Sequence, residues 1–136
     1  MHLFLFLVYL FLFGAMAVSP ITSHVLDAAR GTPAQGVPIS ISYAPTSEIA
    51  SSGQSSVIGR GVTNSDGRCP LLLDSEYVLK PGVYTVHFDT KTYFALHGEK
   101  SFYPFVDVTF EIDQAAPHYH IPLNLAPFSY TTYRGS

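Results

Sequence analysis

Two histidines and one arginine, His24, Arg68 and His120, are the side chains of this chain best suited to chemistry near neutral pH. A neutral imidazole can take a proton from water because its pKa lies close to the working pH. A guanidinium can hold substrate oxygens and stabilise negative charge that develops on them. These residue types could therefore activate water and stabilise an oxyanion. Taken singly, each is more commonly a structural histidine or a solvated loop arginine.

A metal site is a second interpretation of the histidines. His118 and His120 are two residues apart, so on a strand they would share a face, and His-x-His is a common spacing for metal ligands. Zinc needs further ligands, of which His24 could in principle supply one. The sequence contains no Cys/His pattern of a zinc site, and we expect neither a metal ion nor another cofactor. His87 and His97 are given no role.

Period-two alternation of apolar residues predicts the strands that must position these side chains. The first strand, Ile21–Asp27, places Thr22 and His24 on the same face. Arg68 directly follows the turn signal Asn64–Gly67, whose last two residues tolerate positive φ. Further strands with the same alternation are predicted at Val37–Tyr43, Val83–Phe88, Phe102–Ile112 and Tyr119–Leu125.

The remaining segments are predicted to be turns, one helix and a docked tail. Thr90–Gly98 is the only plausible helix, of about two turns, and Gly98 should end it. Ala44–Gly59 is predicted to be a loop, whereas Leu71–Asp74 could be a short strand. The tail Pro127–Ser136 is aromatic and hydroxyl-rich, which indicates docking rather than fraying. The predicted fold is an all-β, antiparallel β-sandwich of about seven or eight strands with one short helix.

The composition fits one domain and excludes some classes of partner. The chain has 136 residues, a net charge of −3 and 12% charged residues, so it offers no basic surface for nucleic acid. Its single cysteine, Cys69, rules out an internal disulfide and is expected to be a small buried residue.

Residues 1–17 are expected to be a hydrophobic leader that precedes the domain at 18–136. Sixteen of the first 18 residues are apolar, and Ala15-Met16-Ala17 offers a cleavage site of the secretory type. The run is shorter than the roughly 20 residues of a membrane-spanning helix, so no stable membrane span is expected. No basic residue precedes Arg30, which leaves an uncleaved anchor, or a start codon upstream of the true one, as alternatives.

Four blocks of sequence resemble the signature of the 5-hydroxyisourate hydrolases, transthyretin-related enzymes of purine breakdown. In order, they are Ile21-Thr-Ser-His24-Val-Leu-Asp27, Thr63-Asn-Ser-Asp-Gly-Arg68, His118-Tyr-His-Ile-Pro-Leu123 and Tyr130-Thr-Thr-Tyr-Arg-Gly-Ser136. The closing Tyr-Arg-Gly-Ser is the most specific part, since it separates these enzymes from the hormone-carrying transthyretins. The resemblance covers about Pro20 to Ser136 and leaves out the leader.

The resemblance implies hydrolysis of 5-hydroxyisourate to 2-oxo-4-hydroxy-4-carboxy-5-ureidoimidazoline without a cofactor. It implies His24, Arg68 and His120 as catalytic residues. The histidines would hold and deprotonate a water, and Arg68 would bind the substrate carbonyls. The substrate-binding residues that it implies are Tyr133, Arg134 and Ser136.

The resemblance also implies an assembly and a compartment. The expected state is a homotetramer, a dimer of dimers, with sites in a channel between the dimers. Family members are commonly peroxisomal or cytosolic, whereas the leader suggests the secretory pathway. Two alternatives are a transthyretin-like secreted carrier of a small hydrophobic ligand and a secreted adhesion module. Neither of them explains why His24, Arg68 and His120 occur together with the terminal block.

Overall fold

The structure, a computed structural model, describes residues 18–114, 116 and 118–136. The leader predicted at residues 1–17 lies outside them. Within the described residues no helix is both long enough and apolar enough to cross a membrane. The described chain forms eight strands and two short helices: β1 Ile21–Asp27, β2 Thr32–Pro33, β3 Pro38–Ala44, α1 Ser47–Ser51, β4 Ser56–Val62, β5 Gly82–Phe88, α2 Thr90–Leu96, β6 Val106–Ile112, β7 Tyr119–Ala126 and β8 Ser129–Thr132.

The strands form two four-stranded sheets, ordered β2-β1-β7-β8 and β4-β3-β5-β6. The predicted all-β sandwich of seven or eight strands is therefore confirmed. One pairing departs from the antiparallel prediction, because β1 and β7 run parallel, with Thr22 opposite His120. Alternation shows which residues of a strand share a face, but it carries no information on the direction of the neighbouring strand. The sequence therefore could not reveal this pairing.

Inward-facing side chains of both sheets fill the core and fix the outward face of β1. Ile21 and Val25 are fully buried, whereas Thr22 and His24 face outward, which confirms the predicted faces. Burying a large apolar side chain stabilises a fold by roughly 1.5–3 kcal/mol, so β1 is strongly held in this orientation. The largest buried side chains are Tyr84, Tyr93, Phe88 and Phe94.

The predicted helix is confirmed as α2. Asp89 caps its N-terminus by accepting a hydrogen bond from the backbone N–H of Thr92 at 3.2 Å. Gly98 follows the helix in a left-handed conformation, with φ of 67°. The Tyr93 hydroxyl donates to the buried Asp27 carboxylate at 2.7 Å, which ties the helix to the end of β1. Burial and this carboxylate raise the pKa of Tyr93.

The predicted loop Ala44–Gly59 is wrong in part, because it contains α1 and the first half of β4. α1 has a capping residue, Thr46, but no buried residue, so it shows no hydrophobic periodicity. Two glycines, Gly59 and Gly61, interrupt the alternation of β4, so the sequence did not predict the strand. A Cβ on Gly59 would lie 2.0 Å from the carbonyl oxygen of Leu72, and one on Gly61 would lie 2.3 Å from Sγ of Cys69.

The predicted short strand at Leu71–Asp74 is also wrong. This segment forms turns instead of pairing with a strand, and its Leu72 and Leu73 pack against Gly59 of β4. The tail is docked, as predicted, but through a strand that was not foreseen. β8 pairs antiparallel with β7. All four residues of β8 are exposed, so they show no alternation that would have identified the strand.

Candidate active site

A cavity of about 520 Å³ lies beside β1 and β7, where the start of each strand meets the turn before Arg68 and the C-terminal tail. Its volume falls within the range of small-molecule sites, about 300–1,000 Å³. Its lining includes Thr22, Arg68, His118, His120, Tyr133 and Ser136.

The edge of β1 holds Arg68 beside His24. β7 occupies one edge of β1, and β2 pairs with the end of the other edge. Farther along, Arg68 forms an isolated antiparallel bridge with His24. Directly opposed residues on neighbouring strands project from the same face of a sheet. The side chains of His24 and Arg68 therefore leave the sheet on the same side.

The turn from Asn64 to Gly67 fixes the position of Arg68. The side-chain oxygen of Asn64 accepts hydrogen bonds from the backbone N–H of Asp66 at 2.9 Å and of Arg68 at 3.1 Å. The Gly67 carbonyl accepts the N–H of Val25 at 2.8 Å. Gly67 has φ of +74°, and a Cβ there would lie 2.3 Å from the Val25 carbonyl oxygen. Only glycine allows the turn to approach β1 so closely.

Parallel pairing brings His120 to the same face. Thr22 lies opposite His120, and Thr22 and His24 are two residues apart on one strand. We call this outer side of the β2-β1-β7-β8 sheet, with Thr22, His24 and His120, the site face. The Thr22 hydroxyl oxygen lies 2.8 Å from Nδ1 of His120 and 2.8 Å from Nε2 of His118. The two imidazoles are thus joined through one threonine.

The C-terminal tail covers one side of the His120 ring. After β8 the chain returns to β7, where the Gly135 N–H donates to the His120 carbonyl at 2.9 Å. A Cβ on Gly135 would lie 2.6 Å from Cδ2 of His120, so the ring and the tail are in close contact. This contact brings Ser136 to the cavity, which Tyr133 also lines.

The environment of His120 favours its neutral form. Burial lowers the pKa of His120, and the charges of Arg68, His118 and His24 lower it further, against an opposing hydrogen bond from the ring to the backbone of Thr22. Near pH 7 the ring is therefore uncharged and able to accept a proton. Its Nδ1 contacts Thr22, whereas its Nε2 has no hydrogen-bond partner among the described residues. Nε2 is the nitrogen available to a bound water.

Cys69 borders the cavity but packs as a core residue, as predicted. It is 5% exposed and belongs to the hydrophobic core. Burial raises the pKa of its thiol, which keeps the group protonated and a poor nucleophile.

Four of the six residues predicted for the site line the cavity: Arg68, His120, Tyr133 and Ser136. His24 does not line it but lies opposite Arg68 on the site face. Arg134 is placed differently. Its guanidinium carbon lies 5.3 Å from the centroid of the Tyr119 ring, and the residue borders a separate cavity of about 240 Å³. In its observed position Arg134 lies over Tyr119 and does not line the site cavity.

Thr22 and Gly135 are parts of the site that the sequence did not predict. The available signal for Thr22 was its position two residues before His24 on the same predicted face. Its partner His120 lies 98 residues away, and no local pattern connects the two. Gly135 allows the backbone of the tail to pack against the ring of His120, and a sequence does not show such a contact.

The two histidines of the His-x-His motif both contact Thr22, and their rings are stacked with centroids 6.3 Å apart. Among residues 18–114, 116 and 118–136, no group of three or more His, Cys, Asp or Glu side chains is arranged to hold a metal ion.

Comparison with known proteins places these features in a family. Residues 21–135 match the model of the HIUase/Transthyretin family. A 5-hydroxyisourate hydrolase of Mus musculus is 47% identical over 118 residues, which cover 87% of this chain and 96% of that protein. The structure of Klebsiella pneumoniae 5-hydroxyisourate hydrolase has a TM-score of 0.72 at 30% identity, with 89% of this chain and 100% of that chain covered.

A transthyretin shares the fold equally well. Sea bream transthyretin, solved in complex with thyroxine, has a TM-score of 0.75 at 36% identity, with 86% of this chain and 95% of that chain covered. The fold alone therefore does not separate a hydrolase from a carrier, and the residues of the site must do so.

Proposed function

Because the chain belongs to the HIUase/transthyretin family, we propose that it hydrolyses 5-hydroxyisourate to 2-oxo-4-hydroxy-4-carboxy-5-ureidoimidazoline, a step of urate degradation. One observation carries the proposal. Two histidines and an arginine from three separate segments project from one face of a sheet beside a cavity of small-molecule size. Relatives named 5-hydroxyisourate hydrolase match nearly the whole domain, which supports this substrate class.

His120 is the proposed general base. Its neutral ring takes a proton at Nε2 while the water oxygen attacks a ring carbonyl of the substrate. Its lowered pKa keeps the ring in the form that can do this. His24 lies on the same face, beside Arg68, and is proposed to hold the water.

Arg68 is proposed to bind the substrate carbonyls and the oxyanion that forms on attack. Its position is fixed in advance by the Asn64–Gly67 turn and by the bridge to His24. Donors that are held in place before charge develops stabilise a transition state at no cost of rearrangement.

The tail is proposed to form one wall of the substrate pocket. Tyr133 and Ser136 line the cavity, and Gly135 seats the tail against His120. A direct contact of Arg134 with the substrate stays a prediction, since its guanidinium lies over Tyr119.

A carrier of hydrophobic ligands is the second candidate function, because sea bream transthyretin shares the fold. The polar groups that line the cavity favour the hydrolase over the carrier. An apolar ligand would remove water from Arg68, His118 and His120 without replacing their hydrogen bonds, which costs free energy.

We also propose a homotetramer built as a dimer of dimers, with the site faces of two dimers opposed across a channel. Leu26, on the site face next to His24, is 36% exposed in the single chain. In the proposed assembly, another copy would cover this leucine.

The activity is tested by generating 5-hydroxyisourate with urate oxidase, adding the protein and following ultraviolet absorbance. We expect decay that is faster than the spontaneous reaction in proportion to enzyme concentration. Decay at the spontaneous rate, together with saturable binding of a hydrophobic ligand such as thyroxine, would favour the carrier.

A further inference from the structure

Thr22 occupies a position between two imidazoles that the proposed chemistry has not used. Its hydroxyl oxygen is 2.8 Å from Nδ1 of His120 and 2.8 Å from Nε2 of His118, two strong hydrogen-bond distances. It projects from β1, whereas His120 lies in the neighbouring β7 and His118 directly precedes that strand. The contact with His120 is therefore fixed by the pairing of the two strands, and the contact with His118 extends it by two residues.

The number of protons in this group limits how it can be arranged. A hydroxyl has one proton to donate and two lone pairs, and each neutral imidazole carries one N–H. If His120 donates its Nδ1–H to Thr22, the hydroxyl is free to donate to Nε2 of His118. Both contacts of Thr22 are then hydrogen bonds that run in one direction, and Nε2 of His120 is left unprotonated and free to accept a proton. The reverse direction would place a proton on Nε2 of His120 and block it as a base.

We propose that Thr22 and His118 form a proton relay behind His120, which holds His120 as the Nδ1–H tautomer and carries away the proton that its Nε2 takes from water. This inference rests on the proposed function, because it assigns a second partner to the same base. Thr22 and His118 are then positioning residues that act through His120.

The relay conserves protons at each atom. An O–H bond of the attacking water breaks and its proton goes to Nε2 of His120, while the water oxygen bonds to the substrate carbonyl carbon. The Nδ1–H proton of His120 moves to the Thr22 oxygen, and the Thr22 hydroxyl proton moves to Nε2 of His118. The proton then returns from His118 through Thr22 to His120. Nε2 of His120 donates a proton to the ring nitrogen of the substrate as the bond between that nitrogen and the carbonyl carbon breaks.

Burial and charge supply the reason for the direction of transfer. A positive His120 would be half-buried and close to Arg68, both of which disfavour the charged ring. His118 is exposed, so water can solvate its imidazolium. Moving the proton from His120 to His118 therefore moves charge from a poorly solvated place to a well solvated one.

Kinetics of three variants test the relay. Thr22→Val removes the hydroxyl at nearly constant shape, Thr22→Ser keeps it, and His118→Gln removes the terminal acceptor. We expect Thr22→Val and His118→Gln each to lower kcat by about 10–100-fold, as is common for groups that orient a reacting side chain, with Thr22→Ser close to wild type. The double variant Thr22→Val with His118→Gln should have a kcat no lower than that of the slower single variant, since both substitutions interrupt the same relay.

A matched control is Thr85→Val. Thr85 pairs with the hydroxyl of Thr109 at 2.9 Å on the outer face of the other sheet, away from the cavity. This variant should retain wild-type kcat.

Solvent isotope dependence separates a relay from a structural role. In mixtures of light and heavy water, we expect kcat of the wild type to depend on the deuterium fraction as it does when two or more protons move in the transition state. For Thr22→Val we expect the dependence that a single moving proton produces. A wild-type rate that varies as for one proton, or a Thr22→Val variant within about twofold of wild-type kcat, would overturn the relay.

Nuclear magnetic resonance of the imidazole nitrogens tests the inference without substrate. We expect His120 in the wild type to carry its proton on Nδ1 and to lose this preference in Thr22→Val but not in Thr22→Ser. A proton on Nε2 in the wild type would refute the relay while leaving the hydrolase proposal intact. Wild-type protein that does not accelerate hydroxyisourate decay would refute the hydrolase proposal instead, and the resonance experiment would still decide the tautomer.

Discussion

The pKa of His120 is the residue property on which the proposed chemistry depends. Burial is the largest cause of its lowering, and the positive charge of Arg68 is the next. A cation near an imidazole disfavours imidazolium and so lowers its pKa. Arg68 thus has two effects in the proposal: it binds the substrate, and it keeps the base deprotonated.

Replacing Arg68 by glutamine should change both the rate and its pH dependence. We expect kcat/KM to fall by about 100-fold or more, because the oxyanion loses its charged donor. The acid limb of the kcat/KM profile should move to higher pH, since loss of the cation lets the pKa of His120 rise. The limb should remain below the ordinary histidine value of about 6.5, because burial persists.

Arg60→Gln is the control for that experiment, because it removes the same charge from β4 in the other sheet. It should leave rate and profile unchanged. An acid limb that stays in place in Arg68→Gln would show that the limb does not report His120.

At the scale of elements, the site depends on how closely the turn before Arg68 approaches β1. Gly67 combines a left-handed backbone with a close approach to β1, because an added Cβ would lie 2.3 Å from the Val25 carbonyl oxygen. The sequence predicted the turn and its position before Arg68. It did not reveal the distance to β1, because that distance arises from the packing of two segments that are separated along the chain.

Gly67→Ala should destabilise the fold and impair the site together. Left-handed strain costs about 1–2 kcal/mol for an L-residue, and the clash of the added Cβ with the Val25 oxygen, only 2.3 Å away, must add to it. We expect a lower free energy of unfolding by denaturant titration. We also expect kcat/KM to fall by about tenfold or more because Arg68 is displaced.

Gly53→Ala separates the two effects. Gly53 has φ of +76°, close to that of Gly67, but nothing lies within 4 Å of the added Cβ. It should lose stability through strain alone and keep full activity. Equal losses of stability and activity in both variants would contradict a role for the close approach.

At the scale of the whole molecule, the single chain presents an open site face. The cavity is bounded by β1, β7, the turn and the tail, and the proposed tetramer would place a second copy across it. Leu26 lies on this face but does not line the cavity, so it is suited to testing assembly apart from chemistry.

Leu26→Glu should weaken the tetramer, because it places a charge in an apolar contact between copies. Sedimentation velocity should show a tetramer for the wild type and a smaller species for the variant, with activity falling as the tetramer dissociates. Leu96→Glu on α2 is the control, since Leu96 is a more exposed leucine outside the site face. A monomeric wild type with full activity would overturn the tetramer proposal.

The sequence by itself determined the fold class and the chemical residue types. Alternation in β1 forces Ile21 inward and His24 outward because apolar burial is favourable, and that pattern is local. The turn signal at Asn64–Gly67 fixed the chain reversal before Arg68 for the same local reason.

Only the tertiary structure decided what these residues touch. The parallel pairing of β1 with β7 places the Thr22 hydroxyl on His120, and the unpredicted β8 returns the tail so that Gly135 packs on the same ring. Both contacts join parts of the chain that no local pattern relates. They form because the sandwich buries its apolar faces in one arrangement, and the alternation of a strand records its faces but not its neighbours.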